Sequence, residues 1–192
     1  TAAGTTKQIS YYTGTESGEE SIDWSQEYDF AGSAVKTTTI YTHDASGALT
    51  QSTVWKYTTT VTTKPLSAVL TLKKSETFYV GSKDTEKSNY TNTYKADGST
   101  IDTVTTYAYN SGFVAAASAG SEGYLSKSVT IRGTAGTTKQ ISYYTGTESG
   151  EESTLFSQEY NFNGSAVKTL SVYNNDEDNV LQDVTVYKDN VA

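Results

Sequence analysis

Cysteine and methionine are absent from this chain, and proline and histidine occur once each. Without cysteine there is no disulfide, no thiolate nucleophile and no Cys-ligated metal site. With His43 alone, neither a zinc site of ordinary composition nor a histidine-based triad can be assembled. His43 falls in the turn-like HDASG, where a solvated role is expected. No run of about 18 apolar residues occurs, so no helical membrane insertion is expected. Basic residues are few as well, 14 against 22 acidic for a formal charge of −8. Such a surface repels polyanions, which argues against nucleic acid and acidic bilayers as partners. The paired carboxylates Glu19-Glu20 and Glu151-Glu152 sit side by side in a repeated turn. A glycosidase needs its two carboxylates across one sugar bond, so these read as solvated charges that discourage edge pairing. No catalytic residue and no enzyme activity are expected.

What is present is strand-forming. There are 16 tyrosines against 5 phenylalanines, and threonine and serine are abundant. Tyrosine suits half-wet positions, its ring burying about 150–250 Å² while the hydroxyl reaches water or a partner. Threonine fits a pleated surface. The expected fold class is all-β, with antiparallel strands and hairpins in thin layers rather than one thick core.

The main signal is internal repetition. GTTKQISYYTGTESGEES begins at Gly4 and again, letter for letter, at Gly136. YDFAGSAVKTTTIY from Tyr28 aligns with YKADGSTIDTVTTY from Tyr94 and YNFNGSAVKTLSVY from Tyr160, at a constant spacing of about 66 residues. Three units follow: 1–70, a diverged 71–136, and 137–192 as a shortened near-copy of the first. Each should contain about four strands. Ala31-Gly32, Asp97-Gly98 and Asn163-Gly164 mark a hairpin turn at one site in every unit, which reads as a type I′ turn with both central residues at positive φ. Tyr28, Tyr94 and Tyr160, and likewise Tyr41, Tyr107 and Tyr173, recur at equivalent places and are the candidate repeat-packing aromatics. Between units lie Thr58–Leu72, expected as a Thr-rich strand or linker, and the small-residue, turn-like Phe113–Gly123. A unit of this size is marginal alone, so identical neighbours should stack, in a fibre-forming manner, and cover each other's open faces and edges, with the recurring tyrosines forming ladders. The chain opens TAAGTT, without Met or a signal-peptide pattern, and is expected to be a stretch from within a longer array or a subunit that polymerises.

The unit resembles repeats of giant tandem-repeat surface and fibre proteins of uncultured environmental bacteria. The likeness rests on paired aromatics with Gly, then Gly-Glu-Glu, then Tyr-x-x-x-Gly-x-x-Val-x-x-Thr-x-x-Tyr. Here these fall on Tyr11, Tyr12, Gly14, Gly18, Glu19, Glu20, Tyr28, Gly32, Val35, Thr38 and Tyr41. The third unit has Leu170 in place of the Thr, and the middle unit lacks Gly-Glu-Glu. The resemblance covers nearly the whole chain and implies extracellular or cell-surface fibres or arrays, not a reaction. A more distant likeness is to YD-type repeats through Tyr28-Asp29-Phe30-Ala31-Gly32. Tyr94-Lys95 and Tyr160-Asn161 depart from it, and the usual Arg-Leu is absent.

Secondary candidates remain. Asp176, Glu177 and Asp178 gather hard oxygen ligands in one loop, a calcium candidate although the spacing matches no EF-hand; no other cofactor is expected. Asn89 and Asn163 head acceptor sequons, and Thr58, Thr59, Thr60, Thr62 and Thr63 form a tract resembling O-glycosylated segments. Trp24 and Trp55 could stack on sugars, although Phe156 in place of Trp24 in the third unit favours a packing role. These residues lead to an extracellular self-assembling structural protein, with copies of itself or neighbouring repeats as partners and glycans as possible ones. An adhesin or carbohydrate-binding repeat is the alternative.

Overall fold

The computed structural model describes residues 4–176 and 179–188. Its strands are β1 (Gln8–Thr13), β2 (Ser21–Tyr28), β3 (Val35–His43), β4 (Leu49–Trp55), β5 (Lys73–Val80), β6 (Lys87–Tyr94), β7 (Ile101–Tyr109), β8 (Val114–Ala115), β9 (Leu125–Arg132), β10 (Thr138–Thr145), β11 (Ser153–Tyr160), β12 (Val167–Asn175) and β13 (Leu181–Lys188). All belong to one antiparallel sheet in the order β1-β2-β3-β4-β5-β6-β7-β9-β10-β11-β12-β13, with the short β8 paired to β7. Every step along that path joins neighbours in sequence or skips only β8, so the sheet is a meander. β1 and β13 end it, and it does not close.

A single sheet of this width has little apolar interior, and the residues meet that condition. The buried set includes Ser25, Gln26, Thr37, Thr38, Ser52, Thr53 and Glu76 beside only a few apolar side chains. Threonines placed opposite each other on adjacent strands satisfy their own hydroxyls. Thr77 and Thr91 are 2.9 Å apart, Thr93 and Thr103 2.6 Å, and Thr105 and Thr130 2.8 Å. Each such cross-strand pair contributes roughly 0.2–1 kcal/mol. The branched side chains also favour the extended backbone, so one residue type supplies both propensity and lateral pairing.

Two excursions supply most of the remaining cover. Residues 56–72 form no strand, contrary to one of the two expectations for Thr58–Leu72; they cross β2 and β3 and end in a short 3-10 turn, Ser67–Val69. Gln26, 1% exposed, donates to Thr59 O at 2.8 Å and accepts from Val61 N at 3.2 Å. Thr38, fully buried, donates to Tyr57 O at 3.0 Å. Side chains of two adjacent strands, β2 and β3, thus supply partners for the backbone of a segment that has no ladder of its own. Trp24 is buried on β2, two residues before Gln26. The second excursion, residues 110–124, carries β8 and a 3-10 turn, Ala116–Ser118. It packs Ala116 and Ala119 onto Tyr109, flanked by Val80, Tyr107, Val114 and Leu125. Asn110 closes its neck, donating to Ala119 O at 3.1 Å and accepting from Tyr124 N at 3.2 Å.

The β2–β3 turn differs from the type I′ expectation. Gly32 N–H donates to Asp29 O at 2.9 Å, which makes Phe30 and Ala31 the central residues, and neither has positive φ. The glycine alone is left-handed, at φ +69°, +69° and +71° for Gly32, Gly98 and Gly164. A second reason requires glycine there. A Cβ on Gly32 would lie 2.7 Å from Thr6 N, one on Gly98 2.5 Å from Leu72 Cα, and one on Gly164 2.9 Å from Thr138 N. Each turn folds against the chain entering β1, β5 or β10. Short acceptors hold these loops: Asp29 Oδ1 from Ser33 and Ala34 N–H, Asp97 Oδ1 from Ser99 and Thr100 N–H, and Asn161 Oδ1 from Ser165 N–H. Hydrogen bonds from the Thr100 side chain first, then from Ser99 and Thr100 N–H, hold the Asp97 carboxyl down at about 2.

Candidate functional site

The recurring chemistry lies where β4 meets β5 and where β9 meets β10. In both places a loop carboxylate reaches across the joint. The β5–β6 loop carries Glu86, whose Oε1 accepts the N–H of Leu49, the first residue of β4, at 2.8 Å. The β10–β11 loop carries Glu152, whose Oε1 accepts the N–H of Leu125, the first residue of β9, at 2.6 Å. Glu152 Oε2 also accepts Gly150 N–H at 3.0 Å, tying down its own loop. Charged acceptors on backbone N–H groups make strong bonds. Sequence reasoning took Glu151-Glu152 for solvated turn charges and found no counterpart of the Glu pair in the middle unit. Glu151 is exposed, but Glu152 is half-buried and bonded, and Glu86 does the same work. The available signal was the even spacing of the single carboxylate, Glu20, Glu86 and Glu152.

The joint has two further parts. Tyr79 OH lies 3.1 Å from Ser52 Oγ across β5 and β4, and Tyr144 OH lies 3.1 Å from Ser128 Oγ across β10 and β9. The residue before each tyrosine stacks on its partner one strand further in, Phe78 on Tyr90 at 4.5 Å and Tyr143 on Phe156 at 4.6 Å. Tyr11 stacks on Trp24 in the same way, at 3.9 Å and 4°. A bulge follows immediately in every case, where the register shifts between Tyr11 and Tyr12, Phe78 and Tyr79, and Tyr143 and Tyr144. Bulges add local twist and re-aim side chains, here turning the tyrosine toward the preceding strand.

The first joint also holds a closed polar cluster. Lys73 Nζ is 2.6 Å from Glu76 Oε1, Gln51 Nε2 donates to the same oxygen at 3.2 Å, and Tyr94 OH donates to Glu76 Oε2. Burial, with the Glu76 hydrogen bond adding to it, pushes the Tyr94 phenol up to about 12. Lys73 also lies over the Trp55 and Tyr94 rings. Its members satisfy one another, so the cluster fastens β4, β5 and β6 together.

The remaining sequence candidates are dispersed. Tyr28, Tyr94 and Tyr160 and Tyr41, Tyr107 and Tyr173 are all half-buried. Their equivalents stand four strands apart along the sheet, about 19 Å at the usual strand spacing. They therefore do not stack as ladders; rings meet in the pairs above and where Phe113 sits edge-on to Tyr143, centroids 6.2 Å apart. Trp24 is buried against Tyr11. His43 borders a shallow hollow with Tyr12, Glu20, Asp84 and Glu86. Asn89 is the extra residue of the β6 bulge and half-buried, whereas Asn163 is exposed in its turn. Thr58, Thr59, Thr60, Thr62 and Thr63 are exposed on the excursion. Of the calcium candidates, Glu177 and Asp178 lie outside the described residues. Asp176 accepts Val180 N–H at 2.9 Å and Gln182 Nε2 at 2.6 Å, as Asp44 accepts Ser46 and Ala48 N–H in the first unit. No group of three or more metal-ligating side chains occurs among the described residues. Among the described residues no helix is long and apolar enough to cross a membrane.

No protein-family model matches the chain, and no curated protein is similar to it in sequence.

Proposed function

We propose that this chain is an extracellular or cell-surface structural protein whose tandem units, each of four main-path strands, contribute to a fibre or surface array. One observation carries the reading. The β4·β5 and β9·β10 joints share their register, their Glu-to-backbone bond and their Tyr–Ser bond. Units joined by one repeated set of contacts form a sheet that lengthens without a new kind of interface. The hollows lined by Val80, Ala116 and Gly120 and by Ile101, Arg132 and Phe162 are open, and these with the Thr-rich, self-satisfying faces support a scaffold over a catalyst. Exposed Thr58–Thr60, Thr62, Thr63 and Asn163 are where glycans would stand clear of the sheet.

Electron microscopy of natively purified protein tests this, with filaments or ordered sheets as the expected result. A specific observation favours a second reading, an adhesin or carbohydrate-binding module: Phe30 and Phe162 are almost wholly exposed at the tips of equivalent turns. Dispersed particles that bind a defined glycan, with binding lost in Phe30→Ala and Phe162→Ala, would favour that reading and overturn the first.

A further inference from the structure

The two ends of the sheet carry the two halves of the internal joint. β1 and the body of β10 have the same sequence, QISYYT, at 8–13 and 140–145. In β10 these residues are covered by β9, so Ser142 is buried and the Tyr144 hydroxyl meets Ser128. In β1 no described strand lies on that side, and Tyr12, the counterpart of Tyr144, is 64% exposed. Glu20 accepts Gly18 N–H at 2.8 Å, as Glu152 accepts Gly150 N–H. It lacks only the leucine N–H across the joint. At the other end, β13 opens with Leu181 in the place held by Leu49 in β4 and Leu125 in β9. Leu181, Val184, Val186 and Tyr187 are all exposed along it, 42–59%.

We propose that β13 of one copy of this chain pairs with β1 of a second copy, antiparallel, in the register of the internal joints. The inference rests on the structural reading above and names its partner and contact. Gln51 faces Phe78 in the first joint and Lys127 faces Tyr143 in the second. Asp183 holds the corresponding place in β13 and faces Tyr11 of the incoming copy. Val184 then faces Ser10, Thr185 faces Ile9, and Val186 faces Gln8. Leu181 N–H donates to Glu20 of the incoming copy, the third instance of the Glu-to-leucine bond. One part is not reproduced: Val184 stands where Ser52 and Ser128 meet a tyrosine hydroxyl, so Tyr12 packs on a methyl pair there instead. Polarity agrees. The main path has an even number of strands, so β13 runs opposite to β1 and a copy adds without being turned over. The contact joins unlike edges, is not self-complementary, and propagates rather than stopping at a dimer.

The chain's lack of cysteine makes the register directly measurable. Ser10→Cys and Val184→Cys variants are prepared separately, mixed at high concentration and oxidised with diamide, and products are mapped by peptide mass spectrometry. Directly opposed positions on antiparallel strands lie within disulfide reach. A Ser10–Val184 cross-link at least tenfold above the one-residue-slipped pair, Ser10→Cys with Thr185→Cys, is expected. Glu20→Ala should reduce its yield several-fold without lowering the melting temperature of the dilute chain. Equal yields for the two pairs overturn the proposal. Filaments in micrographs with no Ser10–Val184 link overturn this joint and leave the structural reading standing. A chain that remains a dispersed monomer at every concentration overturns both.

Discussion

Replacing Glu152 with alanine removes a carboxylate that accepts Leu125 N–H at 2.6 Å and Gly150 N–H at 3.0 Å. The first bond is half-buried at a joint between strands, and its loss leaves a backbone donor without its partner. A hydrogen bond to a charged group contributes about 1.5–3 kcal/mol, while the exposed loop bond adds little. A loss near 2 kcal/mol is therefore expected. For a chain of this size that corresponds to about 4–8 °C in melting temperature. Glu86→Ala removes the same contact to Leu49 and should cost a similar amount. Glu20→Ala is the internal control, because its loop has the same sequence as that of Glu152 and only the strand across the joint is missing. It should stay within about 0.5 kcal/mol of the parent. Thermal melts followed by circular dichroism at low micromolar concentration compare the three. Equal losses for Glu20→Ala and Glu152→Ala would show that the carboxylate acts only within its own loop, and the argument for the joint would fail.

Gly98→Ala combines φ +69° with a Cβ 2.5 Å from Leu72 Cα, whereas Gly18→Ala at φ +89° meets open space; urea titrations should show a loss above about 3 kcal/mol for the first and nearer 1 kcal/mol for the second. Gln26→Ala strips the bonds that hold residues 59 and 61 to the sheet, so thermolysin should cut near Val61 at least tenfold faster while cleavage elsewhere changes little. The Tyr109 phenol, pushed up to about 12 by burial, contributes stability that is complete below pH 10 and lost as pH rises through 12; Tyr109→Phe should flatten that alkaline fall in a melting-temperature series. Asp97, held down at about 2 by its turn, contributes above pH 3.8 and loses that contribution as pH falls toward 2, an acid dependence that Asp97→Asn should reduce.

The all-β, antiparallel character was legible because threonine, tyrosine and evenly spaced turn glycines leave few other options. The position of the β2–β3 turn was legible from its glycine, but not its type. An Asp-Gly or Asn-Gly pair signals a two-residue hairpin only when flanking strands close tightly, and here Asp29, Asp97 and Asn161 hold longer loops through their side-chain oxygens. The glycine answers to the backbone of a distant segment, Thr6, Leu72 or Thr138, which local sequence cannot reveal. Strand order was equally hidden, since hairpin signals do not say whether successive units lie side by side in one sheet or stack face to face. The stacking expectation for Tyr28, Tyr94 and Tyr160 depended on that choice, and a side-by-side meander places them four strands apart. The joint carboxylates were visible as a spacing but read as solvent charges, because their partner is a backbone N–H that has no sequence signature.

The most direct test of a sheet that lengthens through one repeated joint is X-ray diffraction from aligned, concentrated protein. The account predicts strands perpendicular to the long axis, with a meridional reflection near 4.8 Å and a longer repeat near 57 Å, the span of twelve strands. Diffuse scattering from unassociated chains, or strands running along the axis, would contradict it.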